Sequence, residues 1–311
     1  MRRVLADPSF RREQVRADLD GLDVVVETAS PPWSGEDVVG LLSFEPVTAS
    51  DLSALPALRV VATPSVGFDH VDVATATERG VWVCNVPDYC VEEMADHTIA
   101  LLLALARGVV ELDRSVRDGG WDHRAAGPLG RLADVRLGIV GFGRIGQAVA
   151  RRAQGFGMEI LYHDLEPLPS SVSEPLGATY LRLEELLPRA DFVTLHVNLS
   201  SVTRHLINEK TLALMKPTAI LVNTSRGPVV DQVALAAALR EGVIWAAALD
   251  VTDPEPIPMD DPLVGMDNCL IVPHIASASR ATRGKMAEMA AANLIAGVRG
   301  EPLPTEVPPP T

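Results

Sequence analysis

The stretch 135–164, VRLGIVGFGRIGQAVARRAQGFGMEILYHD, decides how the chain folds. Leu137 to Val140 is an apolar run of the length of a buried strand. The turn Gly141-Phe142-Gly143-Arg144-Ile145-Gly146 follows at once, then a segment with helical spacing (Ile145, Val149, Phe156). A second apolar run, Met158 to Tyr162, ends on Asp164. Each glycine serves a physical purpose. Gly141 makes the tight turn, Gly143 admits a pyrophosphate close to the backbone, and Gly146 lets the helix pack on the strand. The helix start aims free N–H groups and a partial positive charge at the diphosphate. Asp164, eighteen residues beyond Gly146, is placed to accept from a ribose 2′- and 3′-OH. A carboxylate there repels a 2′-phosphate, which favours NAD over NADP. Strand, turn, helix, strand and acid in this order predict a dinucleotide-binding unit.

The rest of the chain narrows the class of partner. With 311 residues there is length for two domains and a large core. Aromatic residues make up only 4% against 47% hydrophobic residues, so that core must be built from Ala, Val and Leu. Forty-one acidic against 27 basic side chains leave a net charge of −14, which argues against direct binding of nucleic acid or an anionic membrane. Three cysteines without a CxxC pair fit a reduced compartment. The start, MRRVLADPSF, has no apolar signal-peptide region, and the longest apolar run, Ile99 to Ala106, is far short of the ~20 residues of a membrane span. A cytoplasmic protein is expected.

Ahead of the glycine turn, short apolar runs at Arg3–Ala6, Asp23–Val26, Val38–Ser43, Leu58–Thr63 and Val81–Cys84 alternate with helix-like segments, which predicts a parallel α/β sheet. Glu92 to Val110 reads as one long helix, followed by a helix and an irregular arm over Leu112 to Gly130. After Asp164, strands are expected at Asp191–His196, Ala219–Val222, Ile244–Leu249 and Leu270–Val272, and a final helix over Ser279–Val298. The proline-rich tail, Pro302 to Pro310, is expected to be extended and to build no sheet.

Three loops, each directly after a predicted strand, hold the candidates for chemistry: Asn223-Thr224-Ser225-Arg226-Gly227, Asp250 to Pro256, and Pro273-His274-Ile275-Ala276-Ser277. In an open parallel sheet these strand ends share the edge of the glycine turn, so an Arg, a Glu and a His surround one crevice beside a nicotinamide. The cofactor carries hydride, and the protein supplies orientation and a proton. His274 is the natural acid/base near neutral pH. Glu255 beside it stabilises the imidazolium, and Arg226 suits a substrate carboxylate through paired N–H···O bonds. These parts together specify a 2-oxo acid and its 2-hydroxy acid. His196 is a candidate for the adenosine side. Phe44 and Glu45 are candidates for the substrate's side chain. The remaining histidines, His97 among them, lack metal-ligand spacing, and no metal site is expected.

SVGFDHVD (65–72), CVEEMADHTIALLLALAR (90–107), GFGRIG (141–146), LHVNLS (195–200), NTSRG (223–227), ALDVTDPEP (248–256) and PHIAS (273–277) resemble, over essentially the full length, the D-isomer-specific 2-hydroxyacid dehydrogenase family. Asp88, Tyr89 and Cys90 resemble the branch that includes the C-terminal-binding-protein corepressors; phosphoglycerate dehydrogenases are relatives of the same group. The resemblance implies two doubly wound parallel-sheet domains, Rossmann-like and flavodoxin-like, with an active-site cleft between them. Residues 1–95 plus 279–311 would form a discontinuous substrate domain and 96–278 the NAD domain. Arg226, Glu255 and His274 would be catalytic, with backbone groups of Val66 and Gly67 on the substrate carboxylate. Thr98, Gly141, Gly143, Arg144, Ile145, Gly146, Asp164, His196, Thr203, Thr224, Ser225, Asp250 and Ala276 would line the cofactor. The family is usually dimeric through the region that is here Leu112 to Gly130. An NAD(H)-sensing, corepressor-like binding protein and a phosphite-type dehydrogenase are the alternatives.

Overall fold

A computed structural model of the chain describes residues 2–8, 10, 23–127 and 129–308, with the side chain of Ala125 left aside. The chain divides into two compact units, Met1–Tyr89 with Ser279–Thr311, and Cys90–Ala278.

In the first unit five parallel strands, β1 (Arg2–Ala6), β2 (Val24–Thr28), β3 (Val38–Leu42), β4 (Val60–Ala62) and β5 (Trp82–Cys84), lie in the order β2-β1-β3-β4-β5. Side chains alternate across the pleat. Val4, Ala6, Val60 and Ala62 join the core that holds Leu294 and Val298 of the C-terminal helix Arg280–Arg299. Leu5 and Val61 join the opposite core, with Trp33, Leu52 and Leu55. The C-terminal helix packs close because a Cβ at Gly297 would meet the Val60 side chain, and one at Gly40 would come within 2.9 Å of Leu294 Cδ1. The helices α1 (Ala49–Ser53) and α2 (Val73–Glu78) connect successive strands.

The tail forms no strand among its described residues, but it does touch the sheet. Val307 is buried and donates its N–H to the Val83 carbonyl, and Glu306 forms an antiparallel bridge with Cys84. Flanking prolines lack the N–H that would extend the bridge into a strand. Pro309 and Pro310 lie outside the described residues.

The second unit holds seven parallel strands: β6 (Arg136–Val140), β7 (Glu159–His163), β8 (Ala178–Tyr180), β9 (Phe192–Leu195), β10 (Ile220–Asn223), β11 (Ala246–Leu249) and β12 (Cys269–Ile271). Their order is β12-β11-β10-β9-β6-β7-β8. From β6 the chain winds outward to β7 and β8, then returns to β9 on the other side, so the topological switch lies between β6 and β9. Such a switch opens a crevice at the carboxyl ends of its strands.

The helix expected over Glu92–Val110 is α3 (Val91–Ala106), which ends earlier, and the helix expected to open Leu112–Gly130 is α4 (Val109–Arg117), which begins earlier. Gly108, at φ 58°, breaks them, and a Cβ there would run into the backbone of Ala126. Because α3 is continuous from Val91 and lies wholly in the second unit, the division falls at Tyr89/Cys90 rather than at 95/96. The arm after α4 contains two 3-10 turns, His123–Ala126 and Leu132–Asp134; Pro128 between them is outside the described residues. No helix among the described residues is long and apolar enough to cross a membrane.

Candidate active site

The glycine turn follows β6 at the switch. Gly141, at φ 91°, lies against the backbone of His196, the residue after β9, where any side chain would collide. A Cβ at Gly146 would run into the Gly141 carbonyl, so the helix α5 (Arg144–Gln154) sits tight on the turn it leaves. Gly143 is the N-cap of α5, caps it with no side chain, and faces open space. The first N–H groups of α5 thus carry no side-chain cap from Gly143, while Gln147 Nε2 holds the Phe142 carbonyl at 2.9 Å. Asp164 accepts the Phe142 N–H at 2.8 Å and the Leu165 N–H at 2.8 Å, tying the end of β7 to the turn. Both ring nitrogens of His196 are buried and meet no partner among the described residues; burial alone pushes its pKa down to about 3, so the ring is neutral. An uncapped helix start behind open space, a turn that admits no Cβ, and a buried imidazole with idle nitrogens fit the diphosphate and adenosine end of a dinucleotide.

The other half of the site is built from the ends of β10, β11 and β12. Asn223 closes β10 and is fully buried. Its Oδ1 accepts from the N–H and hydroxyl of Ser225 at 3.0 and 2.8 Å, and its Nδ2 donates to the Arg226 carbonyl at 2.9 Å. Thr224 lies 3.0 Å from Thr98 of α3; since Thr98 donates to the Met94 carbonyl, Thr224 is the donor of that pair. The turn holding Arg226 is therefore fixed at both flanks. Beyond it, a Cβ at Gly227 would collide with the Thr252 carbonyl, so the loops after β10 and β11 meet backbone to backbone.

Asp250, 1% exposed, follows β11. Its carboxylate accepts the N–H groups of Ile275 and Ala276 at 2.8 and 3.1 Å, and His97 Nε2 stands 3.5 Å from Oδ1. The Asp250 carbonyl takes the His274 N–H at 2.8 Å. Held from both sides, His274 adopts the left-handed conformation, φ 47°, uncommon for a residue with a Cβ. From there its Nδ1 reaches Glu255 Oε2 at 2.8 Å, while Oε1 accepts the Thr252 N–H at 3.1 Å. A carboxylate only accepts, so Nδ1 carries the proton and Nε2 is left to react.

The charges of the three candidate residues act on one another. The hydrogen bond to Glu255 raises the His274 pKa above the ordinary histidine value, against burial and the Arg226 charge, which lower it; the charges of Glu255 and Asp250 add to the rise. Burial alone would raise the Glu255 carboxyl. The bond to His274, its charge, the Thr252 N–H and Arg226 outweigh that and hold it below its usual range.

Of the residues expected at the site, Arg226, Glu255, His274, Asp250, Ala276, Thr224, Ser225 and Thr98 gather at the ends of β10 to β12. Gly141, Gly143, Gly146, Asp164 and His196 gather around the switch, with exposed Arg144 and half-buried Ile145 on the first turn of α5. Thr203 closes its own turn, donating to the Asn198 carbonyl at 2.6 Å and accepting the Ser200 N–H at 2.8 Å. Val66 and Gly67 belong to the first unit, in the loop after β4. Sequence reading passed over the structural parts of Asn223, Gly227 and Thr252, and treated His97 as an ordinary histidine. The inward period-2 position of Asn223 at a strand end was the available signal.

Fold and site define a nicotinamide-dependent α/β oxidoreductase. The family described as D-isomer specific 2-hydroxyacid dehydrogenase, NAD binding domain, matches residues 99–276. A glyoxylate reductase of Korarchaeum cryptofilum is 53% identical over 269 residues, which is 85% of this chain and 80% of that protein. The NADPH-dependent glyoxylate/hydroxypyruvate reductase of Sinorhizobium meliloti, solved with NADP and malonate, superposes with a TM-score of 0.86 at 34% identity over 98% of this chain and 96% of that one. The D-lactate dehydrogenase of Aquifex aeolicus, solved with NAD and lactic acid, does so at 0.85 and 29%, over 96% of each chain. The chain belongs to the D-isomer-specific 2-hydroxyacid dehydrogenase family, and is an NAD(P)-dependent enzyme of that kind.

Replacing Glu255 by Gln removes the largest support of the raised His274 pKa and leaves burial and Arg226 in place. If His274 is the proton donor of reduction, only its protonated form acts, and the rate falls as pH rises through the His274 pKa. The expected outcome is an alkaline limb of kcat/KM that moves to lower pH in Glu255→Gln, read from steady-state rates across pH. An unmoved limb contradicts the pairing.

Proposed function

We propose that the protein reduces a small 2-oxo acid, glyoxylate foremost, to the corresponding 2-hydroxy acid with NADH, giving the D isomer where that product is chiral. The observation that carries this reading is the 2.8 Å contact of His274 Nδ1 with Glu255, in a site where the Arg226 charge is felt by both. The 2-oxo acid is taken from the reductase names of the relatives, which favour turnover over an NAD(H)-sensing role or phosphite chemistry.

Bound nicotinamide supplies the hydride in the reducing direction. Arg226 holds the substrate carboxylate through paired N–H···O bonds and stabilises negative charge growing on the carbonyl oxygen. His274, protonated and oriented by Glu255, gives its Nε2 proton to that oxygen, and in oxidation takes it back. Val66 and Gly67 offer backbone N–H groups to the carboxylate. Thr98, Thr224, Ser225, Asp250 and Ala276 hold the walls of the nicotinamide end. Gly141, Gly143, Arg144, Ile145 and Gly146 receive the diphosphate, and His196 and Thr203 the adenosine side. Asp164 accepts from the ribose hydroxyls and repels a 2′-phosphate, so NADH is preferred to NADPH.

Comparing kcat/KM for glyoxylate, hydroxypyruvate and pyruvate with each nucleotide tests this reading. Fast turnover with NADH, and a preference for NADH that collapses in Asp164→Ala, is expected; NADH binding without turnover of any of the three sinks the reductase.

A homodimer is also proposed, through α4 and the arm after it, where Val109, Val116, Trp121 (90% exposed) and Leu129 present apolar surface to solvent. Light scattering on the purified protein is expected to give twice the mass of the chain, and Trp121→Glu to shift it toward one; a monomeric wild type rejects this assembly.

A further inference from the structure

The loop Ser65-Val66-Gly67 in the first unit has an unusual pattern of backbone bonds. The Ser65 carbonyl accepts the Val86 N–H at 3.0 Å. The Val66 carbonyl accepts Asn85 Nδ2 at 2.7 Å, and the Gly67 carbonyl accepts the Ser65 hydroxyl. That hydroxyl has spent its proton, so the Thr63 hydroxyl, 2.7 Å away and fully buried, donates to it. Three successive carbonyls are thus satisfied within the unit. In a trans peptide the N–H points opposite the carbonyl it follows. The N–H groups of Val66, Gly67 and Phe68 therefore turn away from these donors, and none meets an acceptor among the described residues. Successive outward N–H groups are what an anion takes.

Asn85 is the side chain that turns the Val66–Gly67 peptide, and it is itself held. It is buried, and its carbonyl accepts from Asn293 Nδ2 at 3.0 Å and from the Thr305 hydroxyl; Asn293, 1% exposed, also donates to Thr305 Oγ1 at 2.7 Å and takes the Thr305 N–H at 3.1 Å. Asn293 lies on the C-terminal helix and Thr305 on the tail, more than two hundred residues along the chain from Asn85. An unpaired buried amide is costly, so such a chain is retained only if each member stays satisfied.

We propose that Asn85, fixed by Asn293 and Thr305, is a positioning residue for substrate: it turns the Val66–Gly67 peptide so that its N–H faces the 2-oxo acid carboxylate. The C-terminal tail, through Thr305, thereby sets substrate affinity without touching substrate. This rests on the reading of Val66 and Gly67 as carboxylate-binding groups.

The test is steady-state kinetics with glyoxylate and NADH on Thr305→Val, Thr305→Ser and Asn85→Asp, with oxamate as an unreactive competitor. Loss of one aligned charge-assisted bond corresponds to about a tenfold rise in KM for glyoxylate and in Ki for oxamate. That rise is expected in Thr305→Val and Asn85→Asp, with kcat and the KM for NADH little changed. Thr305→Ser, which keeps the hydroxyl, is expected to restore both constants. Equal loss in Thr305→Val and Thr305→Ser, or a fall in kcat with KM unmoved, overturns the proposal. Should Asn85→Asp fail to fold, the Thr305 pair decides alone. A crystal structure of the wild type with NADH and oxamate separates the two layers. A carboxylate away from the Val66 and Gly67 N–H groups sinks the underlying reading, whereas a carboxylate on them with unchanged constants in the variants sinks only the role of Asn85.

Discussion

The arrangement of the site depends on one buried carboxylate, that of Asp250. An ion taken out of water costs several kcal/mol unless its lone pairs are filled. Here the N–H groups of Ile275 and Ala276 fill them, and His97 stands close by. The same bonds decide the conformation of the residue before them. With the His274 N–H on the Asp250 carbonyl and the next two N–H groups on its carboxylate, His274 is forced to φ 47°, a backbone state that costs on the order of 1–3 kcal/mol and persists only when the surroundings over-determine it. Strain placed there turns the imidazole to Glu255 instead of leaving it to choose a rotamer in solvent.

The neighbouring loops extend the same logic. Asn223 uses a buried amide to fix the turn before Arg226, and Gly227 gives up its side chain so that this turn can rest on the carbonyl of Thr252. Thr252 in turn donates its N–H to Glu255. The loops that bear arginine, glutamate and histidine, from three strand ends, are thereby tied to one another by bonds to backbone groups, with the side-chain bond between Glu255 and His274 closing the set; that bond lowers the pKa of Glu255 and raises that of His274. At the switch between β6 and β9 the opposite device operates: atoms are left out. Gly143 leaves space in front of α5, and His196 leaves two ring nitrogens idle.

Much of this was legible from residue order, because the features concerned are local. Strand, turn and helix around Gly141 to Gly146 announce themselves within thirty residues, and each of the three loops bearing Arg226, Glu255 and His274 follows a short apolar run directly. What could not be read depends on contacts distant in sequence. The break at Gly108 looks like an ordinary helix end until Ala126 is seen beneath it. The proline-rich tail gives no sign that Val307 will dock on β5, nor that Thr305 will meet Asn85. His97 carries no motif spacing, and its place beside Asp250 follows only from the packing of α3 against the sheet.

The most direct test of this account is the rate of hydride transfer in a single turnover of His274→Ala with NADH and glyoxylate, both saturating. If the imposed conformation of residue 274 exists to place a proton at the carbonyl oxygen, that rate falls by roughly 10²–10⁴, the usual worth of a positioned acid, while nucleotide affinity holds. A rate equal to that of the wild type would contradict it.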